Sequence, residues 1–185
     1  HRVVADHPLL SDINPRFDVP HSRYNAITHD QFVRAGLSIL IESAEAGVHA
    51  AVSEDGFLSV YFQGHPEYDA NSLLKEYKRE VLRYFDGERD LPPYPEHYIS
   101  EEASALIQRY LEAGHAAKAA GNPLPAFPEA EIAPFLDNTW GDTARAVFDN
   151  WLGLVYQLTN LDRHLPFMEG VDPSRPLKGL RRRGR

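Results

Sequence analysis

The sequence predicts a mixed α/β chain in which a small β-meander is followed by helices. Three observations carry that prediction. Three short apolar runs, "LSILIES" (37–43), "GVHAAVS" (47–53) and "FLSVYFQG" (57–64), are separated only by hairpin-sized turns. From residue 69 onward the apolar period lengthens to that of a helix. The helical stretches then follow one another, so the βαβ alternation of a complete doubly wound sheet is missing.

Taken in order, residues 1–24 hold three prolines among short apolar pieces and read as irregular loop ending in an extended segment, because a residue before proline is pushed out of the helical region. "THDQFVRAG", 28–36, reads as a short helix or turn, with Thr28 as N-cap and Gly36 as stop. The meander follows, with Asp55-Gly56 as a strong turn signal. A helix over 69–85 is capped by Asp69; Leu73, Tyr77, Val81 and Phe85 form its apolar stripe, widened by Leu74 and Leu82. Lys75, Glu76, Lys78, Arg79 and Glu80 fall on the remaining surface. "LPPYPEHY" breaks the chain before a helix at 100–120, opened by Ser100 with Glu101 and Glu102 in its first turn. A second proline-rich connector leads to a last helix at 140–160, whose apolar side carries Val147, Phe148, Trp151, Leu154 and Leu158. Residues 166–185 read as a flexible basic tail.

The chain has 185 residues with 43% hydrophobic content and a net charge of −8, enough for a core of its own. Residues 175–185 carry six basic groups and no acid, so the remainder is more acidic than the total. An acidic body argues against nucleic acid as a partner. No apolar run is long enough to span a membrane, and no secretory leader is evident; a cytoplasmic protein is expected. The absence of cysteine excludes disulfides, a thiolate zinc site and a cysteine nucleophile on this chain. No metal is expected, since nothing sets a ligand geometry around His65 and His21.

The chemistry concentrates in "FQGHPEYDA", 62–70. A histidine base needs its ring fixed by a group on its other nitrogen. In extended backbone, residues two apart project to one side, about 7 Å apart at Cα. Pro66 forbids helix, so His65 and Glu67 share a face. Gly64 removes a side chain beside the ring, which lets a substrate or a partner loop approach closely. The plain alternative is a histidine at a strand end, bonded to backbone.

The longer context, "GHPEYD" with "PHSRY" some forty residues upstream, resembles the homoserine O-acyltransferase family. The resemblance covers "HPLLSDINPRFDVPHSRYNA" (7–26), "FQGHPEYDANSLLKEYKREV" (62–81) and "NWLGLVYQLT" (150–159). It implies the C-terminal portion of a class I glutamine-amidotransferase-like, flavodoxin-like fold, spanning 1–165 with an insertion at 88–135. It also implies transfer of a succinyl group, with acetyl as the lesser option, from acyl-CoA to the hydroxyl of L-homoserine in methionine biosynthesis. Acyl-CoA is then a co-substrate, and no bound cofactor is expected. The acyl group passes through a cysteine thioester, so the resemblance implies a cysteine-bearing N-terminal half outside this sequence. A homodimer is expected. Residue by residue, the family's base matches His65 and its orienting carboxylate Glu67. Its substrate-binding arginine matches Arg79, and its substrate-contacting serine matches Ser22.

The physics is compatible with these roles. A guanidinium binds a carboxylate through two parallel hydrogen bonds, and a serine hydroxyl takes a polar group of a substrate. From the residues alone, Arg79 reads equally as a solvated helix-face arginine paired with Glu76 or groups near Asp69. Ser22 reads as a turn hydroxyl, and Arg23 and Tyr24 as structural. Two other functions stay open from sequence: a non-catalytic interaction or dimerisation domain, and a glutaminase-type amidohydrolase.

Overall fold

The computed structural model describes residues 1–180. Two compact units divide the chain: one holds His1–Glu67 and the chain from Thr139 on, the other Tyr68–Asn138.

In the first unit, β1 (Arg2–Val3), β2 (Ser38–Ser43), β3 (Gly47–Val52) and β4 (Val60–Phe62) form an antiparallel sheet in that order. The meander expected from sequence is therefore present. Its third strand is shorter than the 57–64 run. The Asp55 carboxylate accepts from the N–H groups of Phe57 at 2.8 Å and Leu58 at 2.7 Å, so this stretch turns instead of joining the ladder. The 1–24 segment holds a strand that the proline count concealed: Arg2 and Val3 pair with Glu42 and Ile41.

Helix α1 (His29–Arg34) opens with a reciprocal capping box. Gln31 N–H donates to Thr28 Oγ1 at 3.3 Å, and Thr28 N–H donates to Gln31 Oε1 at 2.8 Å. Phe32 of α1 packs on Val48 and Ala51, while Ala50 and Val52 belong to the main core with Leu9, Leu40 and Ile41. Burial by two clusters explains why β3 is apolar without alternation. Helix α5 (Gly141–Leu158) adds Val147, Leu154 and Leu158 to the main core. Asn150 Nδ2 fastens α5 to a 3₁₀ turn at Pro8–Leu10 by donating to the carbonyls of Leu9 (3.1 Å) and Ser11 (2.8 Å). Phe148 and Trp151, expected on the apolar side of this helix, remain 56% and 40% exposed. Of the basic tail, Phe167 and Pro176 are buried and Leu177 and Leu180 pack on the main core, whereas 181–185 lie outside the described residues.

The second unit contains α2 (Ser72–Phe85), α3 (Glu101–Ala119) and α4 (Glu129–Ile132). Leu74, Tyr77, Val81 and Phe85 of α2 share a core with Ala103, Ile107, Tyr110 and Leu111 of α3 and Ile132 of α4. Ser100 caps α3 as the sequence suggests, its Oγ accepting from Ala103 N–H at 3.2 Å. Asp69 does not cap α2. Asn71 takes the N-cap position, and Asp69 supplies only its carbonyl, to Ser72 N–H at 3.0 Å. Glu80 is not a surface residue either, being only 9% exposed. No described helix is long and apolar enough to cross a membrane.

Candidate active site

Strand β4 delivers the chain into Gln63, Gly64 and His65, and each is held in place. The Gln63 amide spans two neighbours: its Nε2 donates to the carbonyls of Ile27 (2.9 Å) and Val48 (2.8 Å), and its Oε1 accepts from Ile27 N–H at 2.7 Å. His65 N–H donates to Pro20 O at 2.8 Å. Beyond Pro66, the Glu67 carboxylate comes round to the ring, with His65 Nδ1 and Glu67 Oε1 2.8 Å apart. The spacing thus brings together the two side chains that the sequence singles out.

An ionised carboxylate only accepts, so Nδ1 carries the proton and Nε2 is the nitrogen available for acid–base work. Nε2 stands 3.2 Å from the carbonyl oxygen of Ser22. That carbonyl also only accepts, so the contact is a hydrogen bond when the ring is doubly protonated. Ser22 therefore meets His65 through its backbone carbonyl.

Behind the ring lies a histidine cluster that sequence reasoning does not assemble. His1 and His21 stack with ring centroids 4.9 Å apart, and His49 meets both edge-on at 5.5 and 5.8 Å. Arg23 fixes the tautomer. Its Nη1 donates to His21 Nδ1 at 2.6 Å, so neutral His21 carries its proton on Nε2 and donates to His1 Nε2 at 3.0 Å. Arg23 Nη2 donates to Ala46 O at 2.5 Å, tying this loop to the β2–β3 turn. Burial, then the Arg23 charge, depresses the His21 pKa to about 4. Burial, then His21, depresses that of His49 to about 3. Both rings are neutral at neutral pH. The one signal in the sequence was a histidine inside an apolar strand, "GVHAAVS".

The close approach expected at Gly64 comes from the protein itself. A Cβ there would lie 2.7 Å from Val19 Cγ1, 2.8 Å from His21 Nε2 and 2.9 Å from His49 Nδ1. On the other side of Glu67 an apolar groove of about 600 Å³ opens, with Phe57, Phe62, Pro66, Phe148 and Trp151 among its lining residues.

Arg79 lies on α2, in the second unit. Its Nε donates to Glu80 Oε1 at 2.7 Å. Glu76, the partner suggested by spacing, instead accepts from Tyr68 Oη at 2.9 Å. The other Glu80 oxygen accepts from Arg83 Nη1 at 3.3 Å and from Arg89 Nη1.

Comparison with known proteins fits this geometry. The sequence model of the homoserine O-succinyltransferase family matches residues 1–161. A homoserine O-succinyltransferase of Methylococcus capsulatus is 60% identical over 179 residues, covering 96% of this chain and 50% of that protein. The corresponding protein of Thiothrix nivea is 55% identical over 180 residues, 97% of this chain and 50% of its own length. That of Thioalkalivibrio nitratireducens is 55% identical over 183 residues, 98% and 51%. The chain spans about half the length of the curated relatives it matches. With the family match running through the His65–Glu67 pair and the "PHSRY" loop beside it, the chain belongs to the homoserine O-succinyltransferase family.

Proposed function

We propose that this chain is the histidine-bearing half of a homoserine O-succinyltransferase with a glutamine-amidotransferase-like fold, and that His65 is its general base. The observation that carries the reading is the 2.8 Å contact between His65 Nδ1 and Glu67, within a chain of this family. The 185 residues contain no cysteine, so the nucleophile is a cysteine of the other half.

In the first step His65 Nε2 takes the thiol proton. The thiolate attacks the thioester carbonyl of succinyl-CoA, and coenzyme A leaves as a thiolate that recovers that proton. In the second step the ring takes the homoserine hydroxyl proton, the oxygen attacks the enzyme thioester, and the cysteine leaves and is reprotonated. Glu67 keeps the proton on Nδ1 and stabilises the imidazolium in both steps. Once Nε2 has taken the proton, the imidazolium can donate it to the Ser22 carbonyl, 3.2 Å away. In this reading Arg79 binds the homoserine carboxylate and the Ser22 hydroxyl contacts substrate.

The apolar groove beside Glu67, with Phe148 and Trp151 exposed, is where the cysteine-bearing half seats. Trp151→Glu should then cripple folding or activity of the longer protein; normal activity would place the groove on its outside.

The test of the function is a comparison of the two lengths. The longer protein should gain the mass of a succinyl group from succinyl-CoA and lose it on adding homoserine, while this chain alone does neither. Acylation of homoserine by the 185-residue chain alone would overturn the proposal, as would glutamine hydrolysis in place of succinyl transfer by the longer protein.

A further inference from the structure

Glu80 has no part in the chemistry above, yet its placement is costly. It lies on the flank of the α2 stripe, next to Val81 and three residues after Tyr77, and is only 9% exposed. A carboxylate in such a place is tolerated only when it is paired and hydrogen-bonded. An apolar residue of similar size would serve packing at least as well. Arginines gather around it instead: Arg79 on Oε1, Arg83 and Arg89 on Oε2. Together they hold the Glu80 carboxyl below the usual range, with the Arg79 hydrogen bond as the largest cause.

Two of these contacts are not defaults of helix geometry, and one of the two, from Arg89, reaches back from beyond the end of α2. Arg83 is three residues along and faces Glu80 across one turn, an ordinary pair. Arg79 is the adjacent residue, and adjacent residues on a helix do not face each other. To donate from Nε at 2.7 Å, the Arg79 side chain must curl round toward the buried flank. That bond fixes the plane of a guanidinium on a side chain that is otherwise 57% exposed. An exposed arginine normally samples many rotamers, and holding its fork in one plane removes that cost from any carboxylate it receives.

We infer that Glu80 is a positioning residue for the acceptor amino acid, orienting the Arg79 guanidinium toward the acceptor's carboxylate. This rests on the reading of Arg79 given under the proposed function, and the experiment separates the two.

In the longer protein, Glu80→Gln keeps the side-chain shape but removes the charge that anchors Nε. The KM for homoserine should rise on the order of tenfold or more, as for a misplaced binding group. The rate of thioester formation from succinyl-CoA should stay at the level of the unaltered protein. In the Arg79→Ala background, Glu80→Gln should add nothing to the homoserine KM. If Arg79→Ala leaves that KM unchanged, the Arg79 reading fails and takes this inference with it. If Arg79→Ala raises the KM but Glu80→Gln does not, the positioning role alone is overturned. The same holds if Glu80→Gln adds its full effect on top of Arg79→Ala. Should Glu80→Gln fail to fold, Glu80→Asp carries the test, because it keeps the charge but draws the carboxylate back by one methylene. It should raise the KM with thermal melting unchanged; a normal KM in that folded variant would overturn the inference.

Discussion

The two units keep polar groups beside apolar cores by opposite means. Around His65 the buried groups are kept neutral: burial depresses the pKa values of His21 and His49, while the Pro20 carbonyl holds the His65 backbone and Glu67 holds its ring. Around Arg79 the buried group is kept charged, with Glu80 held ionised by several guanidinium partners. The contrast teaches where each region is vulnerable. A neutral, close-packed cluster fails when a proton or a methyl group enters it. A charge network with several partners fails only when its centre is removed.

The largest effect tests the neutral side at its working end. In the longer protein, His65→Ala should lower turnover on the order of a thousandfold or more, the range for loss of a positioned acid–base group. The fold should persist, since the ring is only half-buried. Glu67→Gln should lose less, because the base remains but is badly oriented. Steady-state rates across pH check both, and a Glu67→Gln enzyme with an unaltered profile would remove the orienting role.

Protons are the second lever. The His49 pKa is depressed to about 3 from an ordinary 6.5, so the unfolded chain takes up the proton first. Stability is therefore full above about pH 6.5, falls as the pH drops, and levels off below about 3. From His49 alone the loss between pH 7 and about 4.5 should be on the order of 3 kcal/mol. His21, depressed to about 4, adds to it in the same direction. Denaturant titrations at the two pH values measure the loss. His49→Leu should flatten it while costing about 1 kcal/mol or less at pH 7, because among the described residues the buried Nδ1 has no hydrogen-bond partner to lose. An equal acid loss in that variant would mean that other groups carry it.

A methyl group is the third lever. In Gly64→Ala the new Cβ meets Val19, His21 and His49 at 2.7–2.9 Å, and two of these neighbours are ring atoms with little room to yield. The expected cost is roughly 1 to 3 kcal/mol, typical of an overpacked interior. His49→Ala should recover part of it by opening space on one side. An unshifted denaturation midpoint for Gly64→Ala would mean that the His21–His49 cluster is looser than these distances describe.

What the sequence made legible follows from the range of the interactions. Strands β2 and β3 and helices α1, α2, α3 and α5 come from local patterns: apolar runs between turns, four-residue stripes, and caps at Thr28 and Ser100. The meeting of His65 and Glu67 is equally local, although it is made across a turn at Pro66 and Glu67 and not along the extended link expected from sequence. Strand β1 escaped because two residues carry no period and their partners are about forty positions away. The histidine cluster escaped for the same reason, drawing on positions 1, 21 and 49. Glu80 was misplaced because a period assigns polar residues to the outside, and only tertiary packing reveals a charged flank.

The smallest effect belongs to the charged side. Arg83 is 45% exposed and shares itself between Glu80, at 3.3 Å, and Glu88, at 2.9 Å. If Glu80 is the centre and its partners are redundant, Arg83→Ala leaves Glu80 still bonded to Arg79 and Arg89. Its stability cost should then be below about 1 kcal/mol, the scale of a solvent-exposed ion pair, and should shrink further in high salt. The homoserine KM of the longer protein should not move, because the Arg79–Glu80 bond is untouched. A double-mutant cycle of Arg83→Ala with Glu80→Gln, read by denaturation at low and high salt, measures how much of the network passes through this pair. A coupling of several kcal/mol would show that the arginines act as one unit, and the redundancy that separates this region from the neutral cluster would be lost.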